Sequence, residues 1–299
     1  MSSPVIGFVG FGEAAQCFVR HLSANTDRTP LVFCAGRTNR PPYTTGFLYE
    51  VRQAGAHAVG SLGELLAATD IVISAVTVST AADVGRSIAA GLKPGTLVVD
   101  INASTPACKS EIAGAVAATG GCYVDVNLMG AVGLYGHNVP LYCSGEGVER
   151  FQDIFRPLGF SIESAGSRAG AAAAVKMLRS VVTKGIEALV VEALTAASAA
   201  GVRAEVLRAI CEPMDATRFS SFVDMCIRTD ALHAERRAIE MDGVAEGIRE
   251  LGLDPVMTVA TASRLRNSAA LGRREHFLRR ENYTADEVLD AYMLAGSPF

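Results

Sequence analysis

The chain has 299 residues, of which 49% are hydrophobic and 19% charged, with a formal net charge of −4. Such a composition supports a large buried core and excludes a disordered chain. The acidic balance argues against a nucleic-acid or anionic-membrane surface.

Seven cysteines, an odd number, are scattered without a C-x-x-C pair, and the five histidines show no H-x-x-x-H spacing. This reads as reduced, mostly buried thiol in a cytoplasmic protein, with no disulfide framework and no metal site expected. No basic segment precedes the β-like run at Val5, so no signal peptide is expected. Every long apolar stretch has polar interruptions, which predicts no membrane span. Arg273-Arg274 and Arg279-Arg280 stand beside acidic residues and read as a solvated helix face.

From Pro4 to about Ser164, short β-branched runs alternate with Ala-rich helical windows. The runs are Val5–Val9, Leu31–Ala35, Ile71–Val76, Thr96–Ile101 and Cys122–Val126. The alternation predicts βαβ units and a parallel sheet buried on both faces. Val139–Cys143 and Phe160–Ile162 read as further strands. The Pro/Gly/Thr-rich segment from Arg37 to Tyr49 reads as a surface loop beside the second strand. From Gly166 the strands stop. A long helix is expected over Gly170–Ala200, ended by Gly201. Further helices are expected over Arg203–Cys211, Asp215–Arg228, Ala231–Leu251, Pro255–Leu271 and Ala285–Met293, with Asp254 and Thr284 as N-caps. The expected fold is α/β: a Rossmann-type doubly wound parallel sheet in residues 1–165, followed by an all-helical domain in residues 166–299.

The first strand runs into Gly10-Phe11-Gly12-Glu13-Ala14-Ala15, a G-x-G-x-x-A that opens a helix. In this context Gly10 serves the tight turn, Gly12 the approach of a pyrophosphate, and Ala15 close helix–sheet packing. Glu13 suits the helix dipole better than chemistry. The second strand ends in Ala35-Gly36-Arg37-Thr38, without the Asp or Glu that selects NAD. Arg37, with Thr38 beside it and Arg40 as a second cation, therefore predicts NADP. Val76, at the end of the third run, is placed on the cofactor side.

These motifs resemble the β-hydroxyacid dehydrogenases, the group that contains 3-hydroxyisobutyrate and 6-phosphogluconate dehydrogenases. Ile6–Gly12 reads I-G-F-V-G-F-G, and Asp70-Ile71-Val72-Ile73 and Val98-Val99-Asp100 fall at strand positions. Asn102-Ala103 and Pro106 occupy the offsets of the nicotinamide-side step. Asp125-Val126-Asn127-Leu128-Met129-Gly130-Ala131 matches the substrate loop, with Met129 in place of the usual Ser. Gly170 and Lys176 match the spacing of the motif that carries a catalytic Lys, and Ser180 stands where Asn is usual. The runs Lys176–Gly185 and His233–Met241 look like a less characterised branch with its own C-terminal domain.

The resemblance implies hydride transfer between NADP(H) and a small hydroxy acid or its carbonyl partner. Lys176 would be the general acid/base and Asn102 the group orienting nicotinamide or substrate. Independently of the family, Lys176 is the one charge in the apolar run from Ala169 to Leu178, and a buried lysine loses its proton readily. It shares a helix face with Ser180 and Lys184, with Arg179 alongside. Met129, Gly130, Arg179, Ser180, Lys184, His233 and Arg237 are candidates for holding an anionic small-molecule substrate, and the Ala/Leu-rich second half is expected to form a homodimer. Two other readings stay open: an imine reductase, and a non-catalytic NADP(H)-binding protein on the same fold.

Overall fold

The computed structural model describes residues 3–296. They fall into two compact units, the first ending at Ser180 and the second beginning at Val181. Among the described residues, strands occur up to Ser164 and only helices follow.

The first unit is a single eight-stranded sheet. Its strands are β1 (Ile6–Val9), β2 (Leu31–Phe33), β3 (His57–Ala58), β4 (Ile71–Ser74), β5 (Leu97–Asp100), β6 (Cys122–Leu128), β7 (Leu141–Ser144) and β8 (Ile162–Ser164). They lie in the order β3-β2-β1-β4-β5-β6-β7-β8. The helices of this unit are α1 (Glu13–Asn25), α2 (Thr45–Gln53), α3 (Leu62–Ala68), α4 (Ala81–Ala90), α5 (Pro106–Ala117), α6 (Val132–Tyr135) and α7 (Val148–Phe155). β1, β4 and β5 are buried along their whole length, as strands covered on both faces must be. One core layer gathers around Phe8, Phe18, Leu22, Phe151 and Phe155, the other around Leu65, Ile88, Val98 and Ile112.

The sheet departs from an all-parallel one at a single pairing, since β7 runs antiparallel to β6. Residues 129–140 join the two strands and hold the short α6 followed by a 3₁₀ turn over Gly136–Asn138. The Met129 amide donates to the Pro140 carbonyl at 2.8 Å, so the two ends of the connection meet beside each other and β7 returns alongside β6. The segment expected as a loop up to Tyr49 is also partly helical. The Thr44 hydroxyl accepts from the Phe47 amide and starts α2, whose Phe47 and Val51 are buried. Tyr43 pins the chain before it: its hydroxyl accepts from Cys34 N at 3.0 Å and stands 3.1 Å from the Cys34 and Val59 carbonyl oxygens.

The long helix α8 (Ala171–Ala199) starts in the first unit and continues into the second, and Gly201 follows it at φ +75°. The second unit adds α9 (Arg203–Ala216), α10 (Phe219–Glu250), α11 (Val256–Ala270), α12 (Arg274–Leu278) and α13 (Ala285–Leu294). The two helices expected between Asp215 and Leu251 are one, because no residue between them breaks a helix and Ala231, Ala234, Ala238 and Ala245 form one buried row. Phe277, Val288 and Tyr292 form the centre of a small core. Thr284 caps α13 in a capping box with Glu287. Arg280 pairs with Glu287, and Arg274 and Arg279 with Glu275, as a solvated charged face should.

Asp254 does not cap α11, whose N-cap is Pro255. Glu192 does so from α8 instead, accepting from Met257 N at 2.7 Å, Thr258 N at 2.8 Å and the Thr258 hydroxyl at 2.6 Å. Burial pushes the Glu192 carboxyl up, but the Thr258 and Met257 hydrogen bonds outweigh it and hold it below the usual range. Such a carboxylate stabilises the fold above its unfolded-state range and stops doing so as pH falls through its lowered value. Glu192→Ala is expected to cost ~1–2 kcal/mol at neutral pH. Thermal melts of the two proteins should converge as the buffer is acidified.

Candidate functional site

Strand order reverses at β1, with β2 on one side and β4 on the other. In an open α/β sheet, ligands bind at the carboxyl ends of the strands at this switch point. Gly10 follows β1 at φ +99°, where a β-carbon would strike the Ala75 carbonyl oxygen just after β4. Only glycine fits that turn. At Gly12 the opposite holds: its φ of −79° suits any residue and nothing stands within 4 Å of a β-carbon placed there. The fold itself makes no demand for glycine at that point, whereas close approach of a ligand would.

Gly12 is also the N-cap of α1, and no side chain caps that helix. Its first amides are therefore left to an anion, as in phosphate-binding turns. Ala15 is fully buried against the sheet, Ala14 is half-buried, and Glu13 is exposed. Phe11 packs edge-on against Phe47 with ring centroids 5.9 Å apart. Arg37, Thr38 and Arg40 are exposed past β2, and neither arginine has a hydrogen-bond or ion-pair partner among the described residues. The residues present thus fit a dinucleotide: glycines and bare amides for the pyrophosphate, and free cations for a 2′-phosphate.

The nicotinamide-side step is more tightly tied than its sequence suggests. Asn102 is buried, and its Oδ1 accepts from Val76 N at 2.6 Å. Its Nδ2 donates to Ser74 Oγ at 2.9 Å and to Asp100 Oδ1 at 2.7 Å. Both ends of the amide are engaged inside the protein, so Asn102 ties the ends of β4 and β5 together. Val76 is half-buried and presents its backbone to this network.

Beneath the step lies a group that sequence inspection missed. Lys109, on α5, has no exposed surface, and its Nζ stands 2.9 Å from Asp100 Oδ1 and 3.1 Å from Asp125 Oδ1. It also donates to the Asp100 carbonyl at 2.9 Å. Asp100 Oδ2 accepts from the Tyr123 hydroxyl at 2.8 Å. Burial, then the Asp100 carboxylate, push that phenol well above its ordinary range. Asp125 Oδ1 accepts from Asn127 Nδ2 at 2.8 Å.

The far oxygen of Asp125 accepts from Ala173 N at 3.0 Å, and Ser144 Oγ accepts from Ala172 N at the same distance. These are the amides that begin α8. Gly170, just before them, has φ +85°, and a β-carbon there would lie 2.6 Å from the Pro106 carbonyl oxygen at the start of α5. The helix that carries Lys176 is therefore seated by β6, β7 and α5 together. Lys176 is half-buried one turn on. Burial pushes its amine below the ordinary lysine range, Lys109 and Arg179 push the same way, and Asp125 opposes them.

Around this amine, Arg179 Nη1 donates to the Met129 carbonyl at 3.3 Å, and the Ser180 hydroxyl donates back to the Lys176 carbonyl at 2.9 Å. The Met129 amide donates to the Pro140 carbonyl at 2.8 Å, which closes the loop. Gly130 has a packing reason: a β-carbon there would lie 2.9 Å from the Tyr135 ring. The same loop is held to α1 by the stacked rings of His137 and His21, 3.6 Å apart.

The other candidates belong to the second unit. Lys184 lines a groove of about 420 Å³ beside Glu187, Glu192 and Asp254, an acidic setting for an anion. His233 and Arg237 are half-buried; Arg237 donates to the Thr229 hydroxyl at 3.0 Å, and neighbouring Arg236 pairs with Glu240. Cys34 and Cys143 are buried and Cys211 is exposed. Among the described residues no helix is long and apolar enough to cross a membrane.

Residues 5–165 match the NAD binding domain of 6-phosphogluconate dehydrogenase, and residues 197–268 match a domain of unknown function, DUF1932. An uncharacterized 28.5 kDa protein of Methanothermus fervidus is 28% identical over 260 residues, 86% of this chain and 95% of its own. A conserved hypothetical protein from Sinorhizobium meliloti is 27% identical with a TM-score of 0.64, over 99% of this chain and 96% of that one. A conserved protein of unknown function, described as structurally similar to 3-hydroxyacid dehydrogenases, is 27% identical with a TM-score of 0.62, over 98% and 99%. An imine reductase from Aspergillus terreus, solved with an NADPH derivative, shares the fold at a TM-score of 0.73 and 16% identity, over 91% of this chain and 96% of that one.

Proposed function

Because the chain belongs to the family of the 6-phosphogluconate dehydrogenase NAD-binding domain, we propose that it is an NADP(H)-dependent oxidoreductase acting on a small anionic hydroxy acid or its carbonyl partner. The observation that carries this reading is the half-buried Lys176 amine, pushed toward neutrality on a helix seated at the carboxyl end of the sheet.

The glycine turn and the bare amides of α1 would hold the pyrophosphate, and Arg37 with Thr38 and Arg40 the 2′-phosphate. When bound, the nicotinamide supplies a hydride acceptor or donor. Lys176 takes the substrate hydroxyl proton at its Nζ in oxidation and returns it in reduction. Arg179, with one N–H on the Met129 carbonyl, keeps its other donors for a substrate carboxylate or phosphate. Asn102 acts by holding Val76 and Ser74 in place. The large apolar side chains exposed on the second unit, among them Val181, Val191 and Ile239, suit burial against a second copy of the chain. The protein works in the cytoplasm, where its thiols stay reduced.

NADPH and NADH titrations followed by nicotinamide fluorescence test the cofactor half of this reading, and the chain has no Trp to complicate the signal. NADPH should bind tightly and NADH weakly. Arg37→Ala should weaken NADPH roughly ten- to a hundred-fold and NADH little, since a charge-assisted contact contributes roughly 1.5–3 kcal/mol. Equal losses for both cofactors would remove Arg37 from the role.

A second reading is imine reduction, the activity named for several structures of the same fold. Lys176 would then protonate nitrogen. NADPH consumption over a panel of keto acids, aldehydes and cyclic imines separates the two, and no consumption with any of them would favour a cofactor-binding protein without catalysis.

A further inference from the structure

Two carboxylates organise the two halves of the site, and one buried ammonium joins them. Asp100 holds Asn102, and through it the Val76 and Ser74 ends on the cofactor side. Asp125 holds the first amides of α8, the helix of Lys176. Lys109 Nζ lies within 3.1 Å of both. We propose that Lys109 is a positioning residue of the site: its ammonium locks the cofactor-side step to the start of α8 and sets the electrostatic surroundings of the Lys176 amine. The proposal rests on the reading of Lys176 as the acid/base.

A merely structural lysine would be an uneconomical choice. A fully buried charge is costly unless paired and hydrogen-bonded, and apolar residues of similar volume often fill such places as well or better. Lys109 occupies the core face of α5, with Ile112 and Val116 buried at i+3 and i+7. An apolar residue there would continue the pattern. The ammonium instead compensates two carboxylates whose remaining oxygen atoms are committed to Tyr123 and Ala173. The charged groups acting on Lys176 are Lys109 from α5, Asp125 from β6 and Arg179 from its own helix. Lys109 and Asp125 act in opposite senses, so their removal should too.

The test needs no substrate. The folded protein is pulse-labelled with acetic anhydride across a pH series, and the Lys176 peptide is quantified by mass spectrometry. In the unsubstituted protein Lys176 should label at a pH below that of an ordinary lysine. Lys109→Gln removes a like charge and should move the labelling midpoint up. Asp125→Asn keeps an acceptor for Ala173 but removes the opposite charge, and should move the midpoint down. Opposite shifts, with cooperative melts retained, support the proposal. If Lys109→Gln does not fold, the double variant Lys109→Gln/Asp125→Asn, which removes the two charges as a pair, decides: its midpoint should lie above that of Asp125→Asn, and an equal midpoint overturns the proposal. An unshifted midpoint in the folded variants, or shifts of the same sign, overturns it. Turnover of Lys176→Met reports on the acid/base reading separately, so the two failures cannot be confused.

Discussion

Replacing Lys176 by methionine is expected to lower turnover ~10²–10⁴-fold in either direction, the range of positioned general acid–base catalysis. NADPH affinity should stay within a few-fold, because none of the glycine-turn groups or Arg37 depends on this side chain. Methionine keeps the apolar stem, so the packing of α8 survives and the loss reports on the amine. The pH dependence follows from the depressed amine. In the oxidative direction the neutral form is the base, so kcat/KM should rise with pH and level off below the ordinary lysine range. In the reductive direction the protonated form is the acid, and the rate should fall over the same interval. Stopped-flow hydride transfer with the best substrate of the panel checks both. Turnover of Lys176→Met near that of the unsubstituted protein would exclude the acid/base role.

The second large effect is on stability. Lys109→Leu is expected to lower the unfolding free energy by ~3–5 kcal/mol, because it leaves two buried carboxylates without their cation. The exposed Arg86, which pairs with Asp83 and Glu111, offers the contrast. Arg86→Ala should leave stability almost unchanged, since water and salt already screen such pairs. Denaturant titrations of both variants make the comparison. Similar losses at the two positions would mean that the Asp100 and Asp125 carboxylates find neutralisation elsewhere.

Much of the outline was legible in the sequence because it rests on local periodicity. Five β-branched runs, the glycine turn and the break after Ser164 each depend on residues close in the chain. The Thr284 cap was legible for the same reason: a hydroxyl and a glutamate three residues apart need no distant partner. Lys176 stood out because it interrupts an apolar run. Lys109 carried a similar signal, a cation in step with Ile112 and Val116, but α5 contains polar residues on several sides and its pattern is weak.

The rest was decided in three dimensions. The cap of α11 comes from Glu192, far upstream in the chain, so the nearer Asp254 was the natural reading and the structure overrules it. β7 pairs antiparallel to β6, a direction that strand composition does not carry. Asn102 looks like a contact residue in sequence, and only the structure shows that its amide also ties the ends of β4 and β5 together. By itself, then, the sequence determined the layered α/β architecture, the glycine turn after β1 and the lone amine of Lys176, all properties of neighbouring residues. Only the tertiary structure decided how that amine is seated and charged, because Lys109, Asp100 and Asp125 meet through burial and long-range pairing, which no spacing along the chain encodes.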